Sequence, residues 1–459
     1  MPELQLPPAM AALRPELGNL VASIEQQAPY GSILLSARAG VQISIDHREE
    51  RVSERPHTAG AVLSAFDGVT LHEEAVSGLD RSALARAARS LTADRSFATR
   101  SVDPGPARTG DFSTSLTPLS LTEKLAYCRD LQHRLRGMDE RIVNARVTYF
   151  DDESSAVFCN RTADLAQRVQ RLVLSIVIVV SGPDGIRYDF AYRSAAGKWD
   201  ALLVSEAELQ TMVDNALALL SAERIEPGEY TIVTAPPVTG VMAHESFGHG
   251  VETDMFLKER AKAAHFIDRV VGSPLVNIYD DPSLPGAFGM YFFDDEGQLS
   301  APTPIVEQGV FKRGITDLYS ATALNIPRSA NGRRQDFSRK AYARMSNTFF
   351  GSGDTPLPDL FAQVENGIYL EKASSGMEDP QGWGIQVTCH YGREIKQGTV
   401  TKRMFAPISI TGYVPDVLQT VSAVGSDFAL DAGACGKGHK EMVLVTSGGP
   451  HLLMKARLG

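Results

Sequence analysis

Cysteine and long apolar runs are scarce in this chain of 459 residues. Its four cysteines lie far apart and none forms a Cys-x-x-Cys pair, so we expect reduced thiols rather than a disulfide framework. The most apolar run, Leu172–Val180, has nine residues, whereas a helix needs about 20 residues to cross a bilayer. The β-branched content of this run predicts a buried strand.

An excess of positive charge is also lacking. The chain has 45 Lys and Arg against 55 Asp and Glu, a formal net charge of −10 at pH 7. Nucleic-acid binding relies on clustered Lys and Arg that displace counterions from phosphates, so no nucleic-acid partner is expected. The first residues lack the basic segment followed by an apolar segment that is typical of a signal peptide. We therefore expect a cytoplasmic protein without a membrane partner.

The length predicts two domains, because single hydrophobic cores stop growing near about 250–300 residues. Residues 1–225 alternate helical and strand patterns, which favours an α+β domain with a mainly antiparallel sheet. Residues 226–459 are dominated by short strand patterns and Gly or Pro turns. This second pattern favours a β-rich domain with a barrel-like or curved sheet that also carries the candidate metal-binding helix.

Helical spacing and end signals predict three helices: one that follows the N-cap Asp80 and ends near Thr92, one at Leu121–Arg136 and one at Glu206–Ala222. The segment Ser101–Pro118 is rich in Pro, Gly, Ser and Thr, which predicts a loop. The acidic run Asp294–Glu296 lacks the alternating oxygen ligands of an EF-hand. We interpret this run as a turn with solvated side chains.

The segment VMAHESFGHGVETD, at residues 241–254, carries two imidazoles and an adjacent carboxylate. Imidazole is a ligand well suited to zinc. A glutamate beside the first histidine can take the proton of an attacking water molecule, as hydrolysis of an amide requires. The segment therefore predicts a metal centre with His244 and His249 as ligands and Glu245 as general base.

The two histidines are five residues apart, one more than in the common His-Glu-x-x-His motif. On a regular α-helix they would point about 140° apart and would not reach one ion. A π-type bulge would bring them to within about 50° of each other, and Gly248 and Gly250 would ease such a distortion. We therefore predict a helix over Thr239–Asp254 with a π-bulge between His244 and His249.

Two histidines leave the centre incomplete, because catalytic zinc usually takes three protein ligands and a water molecule. The sequence offers several candidates for the third ligand: Cys435, His439, Cys389, Glu252 and Asp254. Cys435 lies in the segment GACGKGH, where flanking glycines let the backbone approach a metal ion closely. Cys389 and His390 are adjacent and would face opposite sides of a strand, so joint binding of one ion by this pair is not expected.

Several segments resemble the TldD/PmbA peptidases, which are also called modulators of DNA gyrase. Two of these segments hold candidate ligands: HESFGHGVETD contains His244 and His249, and ACGKG contains Cys435. The others also agree with the family in their order along the chain: GMYFFDDEGQ (Gly289–Gln298), IVEQGVFKRGITDLYSA (Ile305–Ala321), NGRR (Asn331–Arg334), RMSNT (Arg344–Thr348) and NGIYL (Asn366–Leu370). The resemblance is strong over most of residues 226–440, and in the first half it is limited to the rhythm of helices and strands.

This resemblance implies one Zn²⁺ per chain, bound by His244, His249 and Cys435, with Glu245 as the catalytic base. The metal motif is that of the TldD-like catalytic branch, whereas the PmbA-like branch lacks it. The resemblance also implies a homodimer, or a heterodimer with a metal-less paralogue, that encloses the active site and admits unfolded or short peptides. The segment after Cys435 departs from the family, which usually has a Gln and a more glycine-rich tail there.

Four further residues are assigned to the surroundings of the metal or to substrate binding: Glu252, Asp254, Arg344 and Asn347. The two acids are candidates for hydrogen-bond partners of the histidines. The other two lie in a segment that matches the family and are predicted to support the site or its β-scaffold. The basic segment Arg328–Arg344 is either a solvated loop or a clamp for a charged partner such as a peptide C-terminal carboxylate.

Two other functions stay open at this point. A site closed by four protein ligands would be structural, and the chain would then be a non-catalytic binding or regulatory subunit, as it would be without a metal. An amidase acting on small molecules would share the zinc chemistry of a peptidase. The sequence therefore predicts zinc-dependent peptide-bond hydrolysis, with these two functions as the alternatives.

Overall fold

The computed structural model describes residues 3–98, 100–437 and 441–459. Seven described strands form one sheet in the first half of the chain: β1 (Tyr30–Ile45), β2 (Glu50–Phe66), β3 (Leu71–Ser77), β4 (Arg108–Ser113), β5 (Ile142–Asn160), β6 (Ala163–Gly182) and β7 (Gly185–Ala196). Their order is β3-β2-β1-β5-β6-β4, and β7 also pairs with β6. Only β4 pairs with its neighbour in parallel among these described strands, so the predicted mainly antiparallel sheet is confirmed.

Helices in the described first half are α1 (Pro8–Leu13), α2 (Leu17–Glu25), α3 (Arg81–Thr92), α4 (Leu121–Met138) and α5 (Glu206–Ala218). Asp80 caps α3 by accepting a hydrogen bond from the amide of Ala83, and Ser120 and Ser205 form capping boxes at α4 and α5. The three helices predicted from end signals are therefore confirmed, although α5 ends at Ala218 and a 3₁₀ turn follows it.

The predicted loop at Ser101–Pro118 is wrong in its middle. Strand β4 lies inside this segment and pairs in parallel with the first residues of β6. The composition of Ser101–Pro118 favours turns, but the backbone groups of β4 are satisfied by a strand far away in sequence, which composition does not reveal.

The second half is rich in short strands, as predicted. Its described strands are β8 (Gly228–Thr234), β9 (Ile278–Asp280), β10 (Thr303–Glu307), β11 (Val310–Phe311), β12 (Gly332–Arg333), β13 (Tyr342–Ala343), β14 (Asn347–Phe350), β15 (Asn366–Asp379), β16 (Gly384–Lys396), β17 (Thr399–Phe405), β18 (Ile408–Tyr413), β19 (Ala423–Val424), β20 (Ala429–Lys437), β21 (Glu441–Gly449) and β22 (Leu452–Leu458). Its described helices are α6 (Pro236–Phe247), α7 (Thr253–Leu257), α8 (Leu318–Leu324), α9 (Leu357–Ala362) and α10 (Val414–Gln419).

Five of these strands close into a barrel. The order β15-β8-β22-β18-β16 is completed by pairing between β15 and β16, which confirms the barrel-like β-rich fold. A second sheet has the order β11-β10-β9-β14-β21-β20 and ends at β20. Helix α6 contacts β15 of the barrel and β14, β20 and β21 of the second sheet, so it lies where these two sheets meet.

Separate hydrophobic cores fill the two halves. The largest cluster of buried apolar side chains belongs to the barrel and α6 and includes Phe247 and Trp383. Smaller clusters join the halves, for example where Phe158 of β5 packs with Phe293. A domain boundary at residues 225 and 226 stays a prediction. No α-helix in the described ranges is both long and apolar enough to cross a membrane.

Candidate metal centre

Helix α6 carries His244 and Glu245 and is held tightly against the second sheet. Pro236 is at the N-terminal end of this helix, where its missing N–H leaves no intrahelical hydrogen bond unmade. A Cβ atom at Gly240 would lie 2.6 Å from the amide nitrogen of Gly448, so glycine is required for the close approach of α6 to β21. Backbone packing therefore fixes where the side chain of His244 points.

The chain leaves helix α6 between the two histidines. The amide of Gly248 still donates to the carbonyl of His244 at 3.0 Å, but residues 249–251 form a 3₁₀ turn and α7 begins only at Thr253. The predicted continuous helix over Thr239–Asp254 and its π-bulge are therefore wrong. The helix ends instead, and the change of direction at Gly248 turns the imidazole of His249 toward that of His244.

The two imidazoles converge on the thiol of Cys435 from β20. The Sγ atom lies 2.9 Å from Nε2 of His249 and 3.2 Å from Nε2 of His244. The imidazole rings are nearly perpendicular, with their planes at 85° and their centroids 5.2 Å apart. Within the described ranges, these three residues form the one group of at least three His, Cys, Asp or Glu whose ligand atoms lie within 4.8 Å of one another.

This donor set fits zinc. In tetrahedral coordination, bonds of about 2.3 Å to sulfur and 2.0–2.1 Å to nitrogen place the two ligand atoms about 3.5 Å apart. The two observed sulfur–nitrogen separations are slightly shorter, so a small outward movement of the side chains would admit an ion. One thiolate and two imidazoles also leave a fourth position for water or substrate, as catalytic zinc requires.

The electrostatics favour a thiolate at Cys435. Burial raises the pKa of the thiol, but hydrogen bonds and charges from the two imidazoles outweigh burial and lower its pKa to about 6. Burial also lowers the pKa of His249, and the hydrogen bonds and negative charges of Cys435 and Glu252 reverse this effect and raise it well above its ordinary value. Zinc requires a deprotonated thiol and a neutral imidazole. The lowered pKa of Cys435 favours the thiolate, and the proton on His249 would leave when an ion enters.

Glu252 lies at the centre of a buried network behind the candidate metal ligands. Its carboxylate is 3.6 Å from Nδ1 of His249, 3.1 Å from Nε of Arg344 and 2.9 Å from Nζ of Lys437. Burial raises the pKa of Glu252, but the positive charges of Lys437, His249 and Arg344 hold it well below its usual range. A charged carboxylate beside a ligand imidazole orients the ring.

Arg344 connects this network to β20, the strand of the candidate ligand Cys435. Its side chain is 1% exposed, and Nη2 donates to the backbone carbonyl of Cys435 at 2.9 Å. Asp254 contacts neither histidine: it binds Lys437 at 2.6 Å and Lys258 at 3.1 Å. Asn347 lies in β14, where its amide donates to the carbonyl of Asp281, so it belongs to the sheet behind the site.

The other candidates for the third ligand lie elsewhere or outside the described residues. Cys389 is fully buried in β16 of the barrel, and burial raises its pKa to about 12. His439 lies outside the described residues. The interpretation of Arg328–Arg344 as a solvated loop is wrong for Arg333 and Arg334, which are buried and bind backbone carbonyls, a carboxylate and an aromatic face.

Glu245 lies where two cavities meet beside the candidate metal ligands. One cavity of about 740 Å³ is lined by His244, Glu245 and parts of β7, β15 and β20. The other, of about 530 Å³, is lined by Glu245, His249 and Glu378. A substrate that passes from one cavity to the other would cross both Glu245 and the ligand cluster.

Glu378 is a residue of this site that the sequence did not indicate. It follows a strand pattern in β15 without any motif, and only the fold places it beside His249 and Glu245. Its two carboxyl oxygens are buried and have no hydrogen-bond partner in the described ranges. Burial is the main cause that raises its pKa to about 9.

Comparison with known proteins agrees with this geometry. Residues 227–457 match the model of the "PmbA/TldA metallopeptidase C-terminal domain". A metalloprotease of Methanothermobacter thermautotrophicus is 31% identical over 319 residues, which cover 68% of this chain and 69% of that protein. The chain belongs to the TldD/PmbA metallopeptidase family. A zinc metalloprotease TldD homologue of Saccharolobus solfataricus is 29% identical over 250 residues, 54% of this chain and 55% of that protein.

Solved structures share the whole fold of this TldD/PmbA member. TldE from Thermococcus kodakarensis has a TM-score of 0.74 at 17% identity and covers 96% of this chain and 99% of its own. A proposed modulator of a DNA gyrase from Thermotoga maritima has a TM-score of 0.79 at 17% identity, with 97% and 100% covered. The chain therefore shares its architecture with these two proteins over nearly its full length.

Proposed function

We propose that this chain is a zinc-dependent peptidase of the TldD-like catalytic branch. The convergence of His244, His249 and Cys435 beside a cavity-facing Glu245 is the observation that carries the proposal. Zinc would be held by these three side chains, one ion per chain. The zinc metalloprotease among its relatives supports this choice of metal.

Different residues of the chain have different roles in the proposed reaction. A zinc ion held here would polarise the scissile carbonyl and lower the pKa of a water molecule. Glu245 takes a proton from the attacking water and passes it to the leaving amine. The carboxylate of Glu252 orients the ring of His249, and Arg344 donates a hydrogen bond to the backbone carbonyl of Cys435. These contacts would keep the three ligands in position during the reaction.

The substrate is proposed to be a short or unfolded peptide that binds as an added strand. Strand β20 is the last strand of its sheet in the described ranges, and it lines the larger cavity together with β15. A peptide that binds as an added strand satisfies its backbone N–H and C=O groups by hydrogen bonds to the edge of the sheet, with little recognition of its side chains. A folded protein keeps these groups in its own hydrogen bonds. The family resemblance supports a homodimer, or a heterodimer with a metal-less paralogue, around such a site.

The test uses purified protein, a disordered peptide and zinc analysis. The parent should contain about one zinc per chain and cleave the peptide, and a chelator should abolish cleavage. Glu245→Gln removes the base but no ligand, so zinc content should persist while kcat falls by about 10²–10⁴-fold. Glu307→Gln, at an exposed residue far from the motif in sequence, is the matched control and should behave as the parent.

Cleavage by Glu245→Gln at the parent rate would contradict the role of Glu245. Zinc without cleavage of any peptide by the parent would favour a binding or regulatory subunit. One polypeptide should also be offered folded and then reversibly unfolded at equal concentration. Equal rates in both states would overturn the proposal that only unfolded chains are admitted.

A further inference from the structure

The larger cavity contains a carboxylate that the proposed reaction does not use. Asp431 lies in β20 and lines this cavity together with His244 and Glu245. Its side chain forms no hydrogen bond and no ion pair within 4.0 Å in the described part of the chain. Its carboxylate is therefore free to accept hydrogen bonds from a molecule that enters this cavity.

The nearest positive charges are already paired with other acids. Arg193 and Lys372 line the same cavity. Arg193 forms an ion pair with Glu208, and Lys372 binds Asp189 at 2.6 Å and the carbonyl of Phe190 at 2.6 Å. These cations act on Asp431 only at longer range, where they oppose the effect of burial, which raises its pKa.

The charges that line the cavity are negative in sum. Four carboxylates face two cations: Glu208, Glu245, Glu371 and Asp431 against Arg193 and Lys372. Glu371 is held by Arg393 from outside the lining, and Glu208 is held by Arg193. Glu245 has a role in the proposed reaction. Among the other described acids that line the cavity, Asp431 is therefore the one without an ion-pair partner.

Position along β20 gives the distance from the reaction. Asp431 and Cys435 are four residues apart in one strand, so their side chains lie on the same face. A rise of about 3.3 Å per residue places them about 13 Å apart. An extended peptide covers the same distance in about four residues.

Resting on the proposed peptidase function, we infer that Asp431 forms a subsite for a cationic amine of the substrate, about four residues from the scissile bond. The amine is either a Lys side chain or the N-terminal ammonium of a short peptide. Both present N–H donors that a carboxylate accepts as charge-assisted hydrogen bonds. The subsite would determine which peptide bond is cut, although the other side chains of the peptide are recognised only weakly.

The experiment compares disordered peptides that differ in one charge. One set has an acetylated N-terminus and a single Lys moved along the chain, with norleucine in place of Lys as the uncharged counterpart. Another set lacks Lys and has a free N-terminus. Cleaved bonds are located by mass spectrometry, and kcat/KM is compared between charged and uncharged peptides.

For the parent we expect cleavage about four residues from the amine and roughly tenfold higher kcat/KM for the charged peptide, as one charge-assisted hydrogen bond allows. Asp431→Asn should bring this ratio close to one, mainly through KM. Asp431→Lys should reverse the preference toward a peptide with Glu at that position. Asp416→Asn, at an exposed acid on α10, is the matched control and should keep the parent ratio.

A ratio in Asp431→Asn equal to that of the parent would overturn the inference, as would cleavage sites that do not follow the amine. Peptide binding is also measured in the Glu245→Gln background. There, Asp431→Asn should lose the preference for binding the charged peptide even though turnover is strongly reduced. Failure of the peptidase function and failure of the subsite are thus told apart.

Discussion

Cys435 is held at both its backbone and its side chain. Its carbonyl accepts a hydrogen bond from Arg344, and its Sγ lies between the imidazoles of His244 and His249. The residue is 3% exposed, so little solvent competes for the thiol. A ligand positioned in this way loses little conformational freedom when a metal ion binds.

Replacement of this thiol should remove the metal. We expect Cys435→Ser to lower zinc affinity by at least roughly tenfold, since a serine hydroxyl does not ionise near pH 7 and is a poorer zinc ligand. Zinc per chain after dialysis, measured by elemental analysis, is the readout. Cys159→Ser, in β5 of the first half, should keep its zinc. Equal zinc content in both variants would show that Cys435 is not a ligand.

At this scale the sequence predicted the residues with a local signature and missed those without one. His244, Glu245 and His249 lie within six residues, and Cys435 has glycines nearby on both sides, at 433 and 436, so motif and resemblance indicated them together. Glu378 and Asp431 carry no such mark. Their importance comes from burial and from the meeting of β15 and β20 at one cavity, which depends on tertiary structure alone.

At the scale of the element, the end of α6 decides the geometry of the site. The prediction of a π-bulge assumed that one helix carries both histidines, and the 140° separation then required a distortion. The same glycine that was expected to ease a bulge ends the helix. A Cβ atom at Gly248 would lie 2.3 Å from the carbonyl oxygen of His244 and 2.9 Å from Cε of Met345, so no larger residue fits this turn.

A methyl group at Gly248 should therefore disturb the metal centre without touching a ligand. We expect Gly248→Ala to shift His249 away from Cys435 and to weaken zinc binding by about 10–100-fold, the range for loss of ligand positioning. Zinc affinity by competition with a chelating dye is the measurement. Gly137→Ala in α4, where a Cβ atom meets nothing within 4 Å, should keep the affinity. Parent-like affinity in Gly248→Ala would contradict this account.

The hydrophobic pattern of residues 142–160 indicates strands that are shorter than the observed strand. Separate patterns at residues 142–150 and 155–158 belong to the single strand β5, because the polar residues between them pair with β1 on one side and β6 on the other. A polar stretch does not end a strand whose backbone groups are satisfied by two neighbours. The hydrophobic pattern therefore located the strands, and long-range pairing set their lengths.

At the scale of the whole molecule, buried acids lie where the two halves meet. The acidic run Asp294–Glu296 forms the predicted turn, but the expectation of solvated side chains is wrong. Asp294 and Glu296 are 2% and 7% exposed. Gly297 in the same turn packs so closely on Phe158 of β5 that a Cβ atom would lie 2.1 Å from its ring. The turn is thus pressed against the sheet of the first half.

The environment of Glu296 makes its ionisation unfavourable. Burial is the main cause that raises its pKa to about 8, and the negative charges of Asp317 and Asp294 add to this effect, while Arg328 opposes it. Its Oε2 accepts a hydrogen bond from the amide of Leu318 at 2.6 Å. The folded protein therefore binds a proton at Glu296 that the unfolded chain has already lost near its ordinary pKa of 4.5.

The sign of the pH dependence follows from this difference. Between about pH 4.5 and pH 8 the folded state carries more protons at Glu296 than the unfolded state, so the contribution of this group to stability is present at low pH and is lost as the pH rises.

Gln resembles the protonated acid and cannot ionise. Glu296→Gln should therefore gain roughly 2–4 kcal/mol in unfolding free energy relative to the parent between pH 5 and pH 8.5. Urea unfolding at both pH values measures the difference. Glu307→Gln, at an exposed acid, should follow the parent, and a parallel course of Glu296→Gln and the parent would show that Glu296 is ionised in the folded protein.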